Sequence, residues 1–261
     1  MVAAAIAFGR SWFDRFLGVQ GLDRAMALAA QAFSALIPLI IVYSAVVPHE
    51  QGQDFASELI DRFDLSGSAA DTVRTAFASP STVENSISVL SALLVIISAL
   101  SFSRGMQRLY EGAYRQPTLG MRNTGRGLMW LLMLVIYLSL RPLVADIFSG
   151  TFGRIFGSLA LAAAVWTATP YLLLAGRLEW HDLLPGAGLT AIGMSALSVT
   201  SVIWFPRSIS ASADQFGAMG VAFALLSWLF AAACVLVVTA TGGAVINEQL
   251  DAHRMNKAGR A

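Results

Sequence analysis

Arg141 and Asp146 interrupt an otherwise uncharged run from Gly127 to Phe148. A charge inside an apolar helix is costly, so ionisable residues there are candidates for binding or moving something charged. Arg141 lies fourteen residues into its run, about 21 Å along a helix. There its long stem either snorkels to an interface as an anchor or presents a guanidinium to a pore or a lipid headgroup. Asp146 is its candidate partner, although a spacing of five does not place the two on one helical face. Arg104 and Arg108 follow another uncharged run, Asn85 to Ser103, on what reads as a helix continuing out of it, with Arg115, Arg122 and Arg126 beyond. Such a cluster attracts anionic headgroups at about 1 kcal/mol per basic residue, or it only sets topology. Gln31 shares a face with Ser34 and Pro38 and offers either a ligand contact or a hydrogen bond between helices.

Other chemistries find no support. The chain has no Gly-rich phosphate loop and no Gly-x-Ser-x-Gly elbow. His49, His181 and His253 are scattered, and none joins a zinc motif. The single cysteine, Cys234, lies mid-run and cannot form an internal disulfide. A net charge of +1 provides no global field for nucleic acid. No cofactor, no metal and no enzymatic activity are expected.

The elements that must position these residues are six long apolar runs. Five lack Asp, Glu, Lys and Arg altogether: Ala25 to His49, Asn85 to Ser103, Ile155 to Gly176, Leu183 to Pro206 and Gln215 to Asn247. The sixth is the run holding Arg141. Crossing a bilayer core takes roughly 20 apolar residues, and charged residues are 13% of the chain against roughly 25% in soluble domains. The reading is an all-α membrane protein: a single domain, residues 1–261, with a bundle of six transmembrane helices. Pro38, Pro142 and Pro170 fall within or near spans one, three and four, and Pro185 with Gly186 opens span five. These are the candidate kinks and hinges. Ala160, Ala164 and Ala168, and likewise Ala187, Ala191 and Ser195, form small-residue stripes expected to be packing seams. Trp130, Trp180, Trp204 and Tyr171 are expected as interfacial anchors.

Basic residues orient the bundle. With the N-terminus inside, twelve lie on inner segments, and five (Arg62, Arg74, Arg141, Arg154 and Arg207) lie on outer ones. Both termini are therefore expected in the cytoplasm. Inner loops fall at 104–126 and 177–183, outer loops at 48–84, 149–154 and 207–214, and the tail at 248–261. Residues 1–24 place Phe8, Trp12 and Phe16 at helical spacing among Arg10 and Arg15. That suits a helix in the membrane interface or one packed on the bundle. The loop 48–84 is acidic and reads as two short helices, around Phe55 to Phe63 and from Ser68 to Phe77. It is either a solvated cap or an entry gate.

Several of these segments together resemble a known family. Leu184-Pro185-Gly186-Ala187 opens span five, Phe216-Gly217-Ala218-Met219-Gly220 opens span six, and Gly243-Ala244-Val245-Ile246-Asn247 ends it. Ala32 to Pro38 and Arg104 to Tyr110 fit as well. The chain is similar over about residues 20–250 to the YihY/BrkB family of bacterial inner-membrane proteins. The family usually has Tyr-Gly where Phe216-Gly217 stands and Glu where Val245 stands, so any coupling role of that carboxylate would be missing here. The resemblance implies a transporter or translocator of a lipid or other amphiphile. The alternative is a non-transporting scaffold for envelope partners, docked through the acidic outer loop. Membrane lipids, a second copy of the chain or an envelope protein are the partner candidates.

Overall fold

The structure is a computed structural model that describes residues 2–46, 57, 60, 67, 70, 71, 74, 85–147 and 151–258. Every regular element among them is helical: α1 (Val2–Gly18), α2 (Gly21–Val46), α3 (Asn85–Ala113), α4 (Thr124–Ile147), α5 (Thr151–Leu173), α6 (Trp180–Phe216) and α7 (Ala218–Ala258). A 3-10 turn, Gly120–Asn123, precedes α4. The chain gathers into two compact units. The first comprises Met1–Ala27, Ser103–Ser195 and Ala233–Ala261, and the second comprises Leu28–Phe102 and Ala196–Ala232.

In the first unit, small residues let α6 and α7 cross closely. Gly186 and Gly243 meet backbone to backbone, so that a Cβ on Gly243 would overlap the Cα of Gly186. One turn on, Thr190 Oγ1 and Thr239 Oγ1 are hydrogen-bonded at 2.9 Å. A Cβ on Gly193 would lie 2.9 Å from Val235 Cγ1. Two of the segments that carry the family resemblance therefore build a helix crossing of the small-residue type. Val245 is buried on the same helix, a site where an unpaired carboxylate would be costly.

Trp130, expected as an interfacial anchor, is buried instead (1% exposed). Its Nε1 donates to Thr169 Oγ1 at 3.1 Å, tying α4 to α5. The seam on α5 is Ala162, Val165 and Thr169, whereas Ala160 and Ala164 of the expected stripe are exposed. Ala168, the third alanine of that stripe, is half-buried. On α6, Ala187 and Ala191 are buried as expected, and Ser195 is exposed.

In the second unit, Phe205, Ile209 and Ala213 recur every four residues along α6 and share a core with Ala224 of α7 and with Ile60 and Ala70. Trp228 packs on Phe205 and donates to Ser201 Oγ at 2.7 Å. The described positions of the 48–84 loop, Ile60 and Ala70 among them, are helical. The expected outer loop 207–214 is helical too. α6 runs through it to Phe216, and the reversal is confined to Gly217. Gly217 takes φ +59°, its N–H bonding Ala213 O at 2.7 Å in a left-handed helix cap. Three residues on, a Cβ at Gly220 would strike the carbonyl of Ser212. Phe-Gly-Ala-Met-Gly is thus the tight turn of a helical hairpin.

Two helices, α6 and α7, are long and apolar enough to cross a membrane among the described residues, and Leu159–Leu173 of α5 is a shorter apolar stretch. Only 22% and 28% of the most apolar windows of α6 and α7 are buried, unlike the core helix of a soluble protein. On α4, Leu128, Met129, Leu132, Val135 and Ile136 also face outward. Such continuous apolar exposure needs a lipid solvent or a partner.

Candidate anion-binding cleft

Beyond Ser103, α3 changes character. Arg104, Gln107, Arg108 and Glu111 recur at intervals of three and four, so one helical face becomes wholly polar. α3 ends in a Schellman cap: Arg115 adopts φ +51° and Gln116 N–H bonds Glu111 O at 2.8 Å. The reversed chain runs back past that polar face. Leu119 N–H donates to Glu111 Oε1 at 2.9 Å, and Gln107 Nε2 donates to the same oxygen at 2.7 Å.

Arg177, from the α5–α6 connection, completes the floor. Its NH2 lies 3.7 Å from Glu111 Oε1, its NH1 donates to Pro117 O at 2.7 Å, and its Nε donates to Leu174 O at 3.0 Å. Asn123 Nδ2 reaches Leu173 O at 2.8 Å and Gln107 Oε1 at 3.4 Å. Glu111, Gln107 and Asn123 are all buried. Through that one carboxylate oxygen, Glu111 holds the chain after α3 and the α5–α6 connection in place.

Above this floor lies a cleft of about 220 Å³ lined by Arg104, Gln107, Arg108, Glu111, Thr118 and Met121. Neither Arg104 nor Arg108 has a side-chain hydrogen bond or ion pair with any described residue, and Arg104 Nε is itself buried. Met121, 74% exposed, forms an apolar rim. Arg24 stands close behind, its NH1 donating to Arg108 O at 2.6 Å. Burial, and after it the charge of Arg108, lowers the pKa of Arg24. Burial also raises the pKa of Tyr110 on α3 and of Tyr114 just past its end, with Tyr114 and Asp182 respectively adding to the shift.

α1 is packed along one face, and the Phe8, Trp12 and Phe16 stripe is half-buried. Arg15, 5% exposed, donates to Ala113 O and to Glu248 at 2.7 Å. Trp12 Nε1 donates to Thr241 Oγ1 at 3.2 Å. The opposite face exposes Ile6, Phe13 and Leu17. A second cleft of about 200 Å³ opens between Asp14, Arg15, Arg24 and Arg115, but Arg15 and Arg24 are already engaged there by Glu248 and Val19 O.

Of the ligand-site candidates singled out in the sequence whose side chains are described, Arg104 and Arg108 are brought together and Gln31 is not. Gln31 is in the second unit, its buried Oε1 without a hydrogen bond among the described residues. Pro170 is buried within α5, and Pro185 precedes the Gly186 crossing on α6. Arg141, Pro142 and Asp146 fall in α4 and Pro38 in α2, and their side chains lie outside the described residues. Gln107, Glu111, Asn123 and Arg177 were missed. The signal that could have revealed the first two was the i, i+3, i+4, i+7 polar face they share with the arginines. No group of three or more His, Cys, Asp or Glu side chains able to hold a metal occurs among the described residues.

No curated protein and no solved structure matches the chain. Residues 12–261 match the family model described as Virulence factor BrkB. With that match over nearly the whole chain, and with apolar helices whose outer faces the fold leaves uncovered, this is a membrane protein of the BrkB family.

Proposed function

We propose that the protein is a non-enzymatic translocator of a lipid or other amphiphile, and that the Arg104–Arg108 cleft receives the polar end of its cargo. The observation that carries this reading is the cleft's own amphiphilic construction: two guanidiniums with no acidic partner among the described residues, and exposed Met121 at the rim. Drug-sized ligands occupy pockets of roughly 300–1,000 Å³, so about 220 Å³ suits a headgroup whose chains remain outside. Exposed apolar residues of α4, Leu128, Leu132 and Ile136 among them, offer those chains an apolar surface. The six-span bundle in a bacterial inner membrane, with the cleft and both termini on the cytoplasmic side, is part of the same proposal. It is supported by the twelve-to-five distribution of basic residues.

Proteoliposomes containing the full chain test it. Fluorescent-tailed phospholipids should cross the bilayer faster than in protein-free vesicles, and the Arg104→Gln/Arg108→Gln double variant should slow them. Absence of flux across phospholipids of every headgroup class would leave the protein a static membrane component.

A further inference from the structure

The geometry points to a charge selection at this site: the Arg104–Arg108 cleft takes a phosphate ester of net negative charge and discriminates against zwitterionic headgroups. This rests on the reading of the cleft as a headgroup site.

The first ground is which charges are already spent. Glu111 is the one carboxylate lining the cleft, and Oε1 accepts from Gln107 and Leu119 while Arg177 stands 3.7 Å away. Its charge is matched by Arg177 from beneath. Arg104 and Arg108, with no acidic partner among the described residues, are left as the uncompensated pair. They lie one helical turn apart, so both guanidiniums serve one site. Arg24 adds a third positive charge behind Arg108.

The second ground is donor chemistry. A guanidinium carries five N–H donors and accepts nothing, and its planar fork matches phosphate oxygens two at a time. Thr118 adds a hydroxyl at the same wall. A buried Arg104 Nε with no acceptor among the described residues is a donor left for a ligand. The ammonium of a zwitterionic headgroup would meet the guanidiniums of Arg104 and Arg108, with Arg24 behind them, and a carboxylate already matched by Arg177. A headgroup whose remainder is neutral, such as a glycerol, meets no such repulsion.

The same phosphate chemistry could come from a lipid or from a soluble phosphate, and the experiment separates them. The full chain in neutral detergent is titrated with dihexanoyl phosphatidylglycerol, dihexanoyl phosphatidylcholine and inorganic phosphate. The glycerol lipid should bind at least tenfold more tightly than the choline lipid. Arg104→Gln and Arg108→Gln should each weaken it about fivefold, the ratio that corresponds to about 1 kcal/mol per basic residue, and leave the choline lipid unchanged. Arg108→Lys, which keeps the charge but not the fork, should fall between. An unchanged melting temperature for Arg108→Gln, whose side chain is exposed, separates ligand loss from misfolding. Inorganic phosphate binding as tightly as the glycerol lipid would overturn the lipid assignment. Equal affinity for the two lipids, or indifference to both arginines, would overturn the charge selection. Flux with no headgroup preference would sink this inference and leave the translocator standing; selective binding without flux would do the reverse.

Discussion

Gly243→Ala tests the helix crossing on which the first unit depends. The new Cβ would overlap Gly186 Cα, where carbon atoms pack best at roughly 3.5–4.0 Å, so α6 and α7 must part. Overpacking of this kind costs about 1–3 kcal/mol. Separation also stretches the 2.9 Å Thr190–Thr239 bond, a type of contact averaging about 0.6 kcal/mol between membrane helices. Alanine's better helix propensity, about 1 kcal/mol, acts in the opposite direction. Gly188→Ala removes that complication. Gly188 lies on α6 two residues from the crossing, with nothing within 4 Å of its Cβ position, and it gains the same propensity. The difference between the two variants should therefore be about 1.5–3.5 kcal/mol, with Gly243→Ala the less stable. Gly186→Ala should fall between, because its Cβ meets Gly243 Cα at 3.4 Å and the Tyr114 hydroxyl at 2.7 Å, and a side chain yields more easily than backbone. Unfolding in mixed detergent–SDS micelles, followed by far-UV circular dichroism, measures all three. If Gly243→Ala and Gly188→Ala agree within 0.5 kcal/mol, α6 and α7 do not cross at these glycines.

Arg15→Gln should release α1 at its C-terminal end, because the bonds to Glu248 and Ala113 O are lost together. Charged hydrogen bonds of this type contribute about 2 kcal/mol. Faster amide hydrogen exchange confined to α1 is the expected signature, and unaltered protection of α1 would show that the arginine is not its tether. Gly217→Ala forces an L-residue to φ +59° and should destabilise the hairpin by about 1–2 kcal/mol. An equal or higher melting temperature in detergent would contradict a left-handed cap at that position.

Apolar runs, the sparse charges and the small-residue motifs made membrane character and helical class legible from the residues alone, because bilayer thickness acts on composition and length. Arg104 and Arg108 could be found in the same way, since helical spacing places them together without any tertiary information. Their partners could not. Arg177 reaches Glu111 across sixty-six positions of sequence, and Trp130 turned inward because Thr169 waits there to accept its N–H. Such outcomes depend on which faces meet, and a periodicity cannot say which of two faces looks inward.

Helical class, membrane character and a basic segment after residue 103 follow from the residues alone. The local rules of helix length, charge cost and spacing suffice for that. That Arg177 matches Glu111 from beneath, while Arg104 and Arg108 have no acidic partner among the described residues, emerges from the folded chain alone. The division of charge into spent and unspent depends on distances between segments remote in sequence, and it turns a basic segment into a site with a preference.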